Sequence, residues 1–239
     1  MLRFLFTDID DKTEEFCDPV SLVINKDENV PADDMVVVFS YISVKEQKSV
    51  VVYDDDKVVF TGIVDEQQTV CDHKSQYIKF VCRSMAGLLI DNESAPVSYC
   101  QPSADTIAMR HIIPYGLKLK DDLDITYFGV QTVSKGMSDY KAVEDFSRNA
   151  LGVIPRINEY GQVQLQSNVQ DSECVFSNDG DGIAYSYFCE NIKRHKEISA
   201  VRIKVTNSCG YNSVVENKDA INRGIKRERY INSLYTSTP

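Results

Sequence analysis

The sequence has no tryptophan among its 239 residues. Glycan-binding platforms lean on large aromatic rings, so this absence counts against a carbohydrate module, although thirteen tyrosines remain to serve cores and interfaces. Histidine is scarce as well. His73, His111 and His195 lie far apart, and none of the seven cysteines (Cys17, Cys71, Cys82, Cys100, Cys174, Cys189, Cys209) stands in a C-x-x-C pair. That spacing offers no zinc pattern. An odd cysteine count in a chain this long reads as reduced thiols, not a disulfide framework. No apolar run approaches the roughly 18 residues of a membrane span. The opening MLRFLF is too short for the apolar core of a secretory signal and reads as a first strand.

Catalytic motifs are missing too. There is no G-x-S-x-G, no H-E-x-x-H, no Walker loop and no glycine-rich phosphate cradle. Asp65 with Glu66, or Cys71 with His73, gain no support from spacing or context. Asp8-x-Asp10-Asp11 superficially resembles a calcium loop but lacks the glycine at the sixth position and the glutamate at the twelfth. His111 falls on the apolar face of a predicted helix, as a packed core histidine would. No catalytic residue, cofactor site or metal ligand is nominated, and the chain is expected not to be an enzyme.

What is present is an ordinary globular balance, 43% hydrophobic and 26% charged, with a net charge of −10. The charge is unevenly spread. Residues 1–75 hold seven basic and seventeen acidic side chains, whereas residues 191–239 hold ten basic and four acidic. Such polarity can steer head-to-tail or ring assembly. Nucleic-acid binding fits poorly, because the basic stretch is short and the acidic remainder repels phosphate.

Strand patterns dominate the first hundred residues. Leu2–Phe6 and Val20–Asn25 read as strands, with a polar link from Asp8 to Asp18 between them. Met35–Tyr41 is a dense β-branched run suited to a fully buried strand. Ser49–Tyr53 and Val58–Phe60 flank the acidic turn Asp54-Asp55-Asp56 as a hairpin. Thr61-Gly62 is expected to break the second arm, and Asp65–Gln68 to form a polar link. Tyr77–Cys82 alternates with the period of a half-buried strand, and Arg83–Asp91 reads as a short apolar turn. Arg83 either pairs with Asp91 across that corner or lies solvated on the strand. Helices follow. Ser103 caps one that ends at Pro114 and Gly116, and Ser138 or Asp139 caps another that ends at Gly152. Val153–Ile157 and Gln162–Gln166 then form a small hairpin, and Ile198–Thr206 is a clean alternating strand.

Three of these segments carry a resemblance. Phe60-Thr61-Gly62, Ile63, Asp65, Arg83-Ser84, Leu88-Leu89, Asp91 and Ser94-Ala95 form the first. Ile112-Ile113-Pro114-Tyr115-Gly116-Leu117 is the second, and Leu151-Gly152-Val153 with Tyr160–Leu165 the third. In this order they resemble the phage tail baseplate hub proteins, the Mu-like hub and late control D family, related to VgrG-type spike proteins.

The pattern gives an α+β, β-rich chain. The resemblance implies two small barrel-like β domains with interspersed short helices. Residues 1–98 would form the first barrel-like domain, 99–170 a helix-containing α+β segment, and 171–239 a second β domain. Family members continue further, so that last domain is expected to be incomplete at its C-terminus.

The resemblance also implies a function: a structural part of a contractile phage tail or phage-like particle. A homotrimeric hub would adapt the six-fold tail tube protein to the three-fold spike protein, with neither nucleic acid nor direct membrane insertion involved. It would assemble in the bacterial cytoplasm and end in the virion's tail baseplate. Barrel edges and the Asp54–Lys57 turn are the expected contact regions. A cell-wall-active tail component, lytic or glycan-binding, is the alternative.

Overall fold

The computed structural model describes residues 1–27, 30–165, 174–180, 182–189, 191–205 and 209–232. The chain divides into two compact units, Met1–Gln170 and Asp171–Pro239.

The first unit opens with seven strands: β1 (Leu2–Asp8), β2 (Thr13–Cys17), β3 (Ser21–Asn25), β4 (Asp34–Ser40), β5 (Gln47–Asp54), β6 (Lys57–Cys71) and β7 (Gln76–Ser84). They form one antiparallel sheet in the order β2-β1-β5-β6-β7-β4-β3. Alternation sends Phe4, Phe6, Met35, Val37, Phe39, Val50, Val52, Phe60, Ile78, Phe80 and Cys82 into one core. The sheet is strongly rolled. Four ladder steps separate β1 from β4, roughly 19 Å in a flat sheet, yet the Phe4 and Phe39 rings lie 5.2 Å apart, edge to face. Phe16, on β2, is also 5.2 Å from Phe39. The sheet is thus barrel-like, and among the described residues no ladder joins its ends, β2 and β3.

Several local expectations change. β2 lies inside the expected polar link, because pairing with β1 imposes the strand and only Phe16 enters the core. β4 buries alternate residues and is half-buried. β6 does not break at Gly62. It runs on through a bulge at Asp65, paired with β7 on both sides. Gly62 is there for close approach: an added Cβ would stand 2.2 Å from the Arg83 carbonyl oxygen.

A second core follows in the same unit. It is built from α1 (Ala86–Asp91), the antiparallel pair β8 (Val97–Cys100) and β9 (Val130–Val133), α2 (Ala104–His111), α3 (Asp139–Leu151), and the short pair β10 (Arg156–Ile157) and β11 (Val163–Gln164). α1 replaces the expected turn. Leu89, Ile107, Ile112, Val143, Phe146 and Leu165 are among its fully or nearly fully buried members. Both helix starts are capped as expected, Ser103 accepting from the Thr106 amide and Ser138 from the Lys141 amide. Gly116 and Gly152 both end their helical segments in the left-handed region.

In the second unit, β12 (Ala200–Lys204) is central. β13 (Ser213–Glu216) lies antiparallel to it on one side and β14 (Glu228–Asn232) parallel on the other. The short helix α4 (Lys218–Asn222) lies in the connection. The β-rich α+β class holds for the whole chain. The second unit presents a three-stranded sheet among its described residues.

Candidate assembly interface

Two strands end the large sheet, and each leaves one side unpaired among the described residues. Along β3 the exposed positions include Val23, preceded by exposed Val20. β2 carries Glu14 and Glu15, the charged dress that keeps an open edge from pairing indiscriminately. In the smaller sheet β14 is exposed along its whole length.

The Asp54–Lys57 turn lies at the tip of the β5–β6 hairpin. Asp55 takes φ 51° there. The terminal amine pairs with Asp55 and stands 3.6 Å from Asp54, while Arg3 donates to the Asp55 carbonyl at 3.2 Å. Hydrogen bonding from the amine holds the Asp55 carboxyl below its usual range. The turn is therefore tied to β1 and presents a fixed, acidic tip.

Arg83, left open between pairing and solvation, is paired twice. Its Nε and Nη2 reach the Asp65 carboxylate at 2.5 and 2.9 Å, and its Nη1 and Nη2 reach Asp91 at 3.1 and 2.6 Å. The guanidinium thus locks the β6 bulge to the end of α1. Those hydrogen bonds depress the Asp91 carboxyl and raise the guanidinium further. Pairing with Asp91 is one of the two readings the sequence allows; the bond to Asp65 is not legible there, because Asp65 reads as part of a polar link while it stands at the β6 bulge.

His111 is the packed histidine its helical position predicts, at the centre of a buried polar cluster. Its Nδ1 lies 2.7 Å from Asp139 Oδ1 and 3.2 Å from Ser94 Oγ, and its Nε2 lies 2.9 Å from the Tyr99 hydroxyl. Tyr115 donates to the other Asp139 oxygen. Burial, with help from Asp139, pushes the Tyr115 phenol up to about 12. Serine, histidine and aspartate meet here, but not as a nucleophilic triad. That needs the serine on one ring nitrogen and the carboxylate on the other, whereas here both face Nδ1 and a tyrosine fills Nε2. The cluster ties the Ser94 loop, β8, α2, the turn at Tyr115 and α3 together. Of the residues that carry the resemblance, Ser94 and Tyr115 belong to it.

The acidic run of Asp8, Asp10 and Asp11 is likewise spoken for. Asp8 Oδ1 accepts from the Asp10 and Lys12 amides at 2.8 and 2.9 Å, and Lys45 and Lys48 pair with Asp10 and Asp11. Among the described residues no group of three or more His, Cys, Asp or Glu is placed to hold a metal ion. Nor is any helix there long and apolar enough to cross a membrane.

No protein-family model matches the sequence, and no curated protein does. Solved structures do. The tail protein from Neisseria meningitidis MC58 superposes with a TM-score of 0.73 at 16% identity, over 98% of this chain and 72% of that one. The fold is that of phage tail proteins. The 43 kDa tail protein of prophage MuSo2 from Shewanella oneidensis shares it with a TM-score of 0.73 at 14% identity, over 98% of this chain and 74% of that one. The tail-protein fold extends to the Francisella PdpA-VgrG complex, with a TM-score of 0.56 at 11% identity, over 97% of this chain and 39% of that one. At these identities the likeness is one of fold, and it agrees with the resemblance read from the three sequence segments.

Proposed function

We propose that this chain is a structural subunit of a phage tail or related injection particle. In it, three copies would form the ring-shaped baseplate hub that joins a six-fold tail tube to a three-fold spike. The observation that carries this reading is the tail-protein fold spanning 98% of the chain in two separate tail proteins. The physical task is symmetry matching: a trimer whose subunits each carry two β units can offer six related docking faces on one side and three on the other. Affinity would come from buried interchain area and from strand edges such as β2, β3 and β14. No substrate is turned over in this proposal. The polar clusters at Arg83 and His111 act as internal ties, which keep the docking faces rigid. Subunits would assemble in the bacterial cytoplasm before joining the tail.

Solution mass by light scattering, with negative-stain imaging, tests this. The expected result is a species of three chains of 27.0 kDa each, seen as rings. A monomer at every concentration would overturn the ring.

A further inference from the structure

We propose that the outer edge of β2 in one copy pairs with the outer edge of β14 in the next, joining the two sheets across the subunit boundary. This rests on the ring proposed above and names the strands that close it. The two strands stand at ends of their sheets, each five residues long, and among the described residues neither has a partner on its outer side. An unpaired edge offers a row of amides and carbonyls to any second strand.

Charge decides which second strand. On β2, Glu14 and Glu15, followed by Asp18, make no ion pair among the described residues. Neighbouring Arg3 is turned elsewhere, donating to the Asp55 carbonyl and lying 5.3 Å from the Tyr53 ring centre. The β14 side is the opposite. Lys226 and Arg229 flank its start without a carboxylate partner among the described residues, and Glu228, between them, is held by Arg202 at 2.6 Å. Arg194, His195, Gly224, Ile225, Lys226 and Arg227 line an open cleft beside it, and the Arg194 and Arg227 guanidinia there donate to the backbone carbonyls of Arg223, Arg194 and Glu197. Were both edges of one sign, every pairing of two copies through them would be repelled. Here β2 repels β2 and β14 repels β14, while β2 attracts β14. The favoured contact is therefore head-to-tail, the heterologous kind that closes into a ring or runs on as a filament.

Four chains test the pairing: wild type, Glu14→Lys with Glu15→Lys, Lys226→Glu with Arg229→Glu, and all four substitutions together. The last keeps the wild-type net charge. Assembly is followed by light scattering against concentration at low and moderate salt, with circular dichroism and thermal melts as folding controls. Either reversal alone is expected to weaken assembly about tenfold or more, and the combined chain to recover most of that. Should a reversed chain misfold, Glu14→Gln with Glu15→Gln replaces it, with the salt dependence of assembly expected to shrink. Reversals that leave assembly unchanged, or a combined chain no better than either alone, overturn the strand pairing and leave the ring standing. A monomeric wild type overturns both.

Discussion

Arg83→Ala should loosen the corner where β6, β7 and α1 meet, and its magnitude can be worked from the contacts. The guanidinium makes four hydrogen bonds to two carboxylates, with side-chain exposures of 32% for Arg83, 28% for Asp65 and 53% for Asp91. An exposed ion pair contributes about 0.2–1 kcal/mol, and two-point charge-assisted bonds in partial shelter lie at the upper end. Two such pairs make the loss about 1–2 kcal/mol, or a fall of about 3–6 °C in the melting temperature of a unit this size. Differential scanning calorimetry reads it directly. Arg83→Lys should recover only part, since a point charge cannot fork onto both carboxylates. The pH dependence has a definite sign. Asp91 is depressed in the folded chain, chiefly by hydrogen bonding from Arg83, so its contribution is present above its unfolded pKa and lost as the pH falls through the folded one. The gap between wild type and Arg83→Ala should therefore be level near neutrality and narrow on acidification below about pH 4. An unchanged melting curve, or a gap that widens in acid, would refute the double pairing.

Two further substitutions probe the tie points. Gly62→Ala drives a methyl against the Arg83 carbonyl, 2.2 Å from its oxygen, and against the Phe60 ring at 2.6 Å. Strands β6 and β7 must then part, and a loss of about 1–3 kcal/mol is expected in urea unfolding. A wild-type midpoint would show that the strands do not approach so closely. Asp139→Ala removes the acceptor shared by the buried His111 ring and the half-buried Tyr115 hydroxyl; His111 keeps Ser94 and Tyr99, so a loss of about 1–3 kcal/mol in all is expected. Tyr115→Phe removes one of those bonds and leaves the carboxylate its histidine, so its effect should be clearly smaller. Equal midpoints for the two variants would contradict a cluster centred on Asp139.

Much of this fold is written in local pattern. The alternation of Tyr77–Cys82, the acidic hairpin turn and the two serine caps each depend on a few neighbouring residues, and each stands where its pattern puts it. Failures occur where a distant partner decides. Thr13–Cys17 has one core residue in five and no strand signal of its own; β1 supplies the ladder that makes it a strand. Gly62 reads as a breaker because glycine usually weakens a strand, yet the missing side chain is what lets the β7 backbone come close. Asp139 reads as a capping residue at the start of α3, while its carboxylate is committed to a histidine 28 positions earlier.

The same distinction explains why the proposed assembly interface is only half legible in the sequence. Opposite charge at the two ends of the chain is visible in composition, but composition cannot say which carboxylates are already spent. Asp10 and Asp11 pair with lysines, Asp54 and Asp55 face the terminal amine, and Asp65 and Asp91 share Arg83. Once these are set aside, Glu14, Glu15 and Asp18 are among the acids that keep no ion pair among the described residues, and they stand at the β2 edge, where main-chain bonding is also unused. On the basic side, Glu197 and Glu228 are occupied by Arg223 and Arg202, which leaves Lys226 and Arg229 beside the open edge of β14. Net charge would steer two copies together from a distance. The register of their contact depends on these few residues, which is why exchanging the charges of both edges should preserve assembly while exchanging either alone should not.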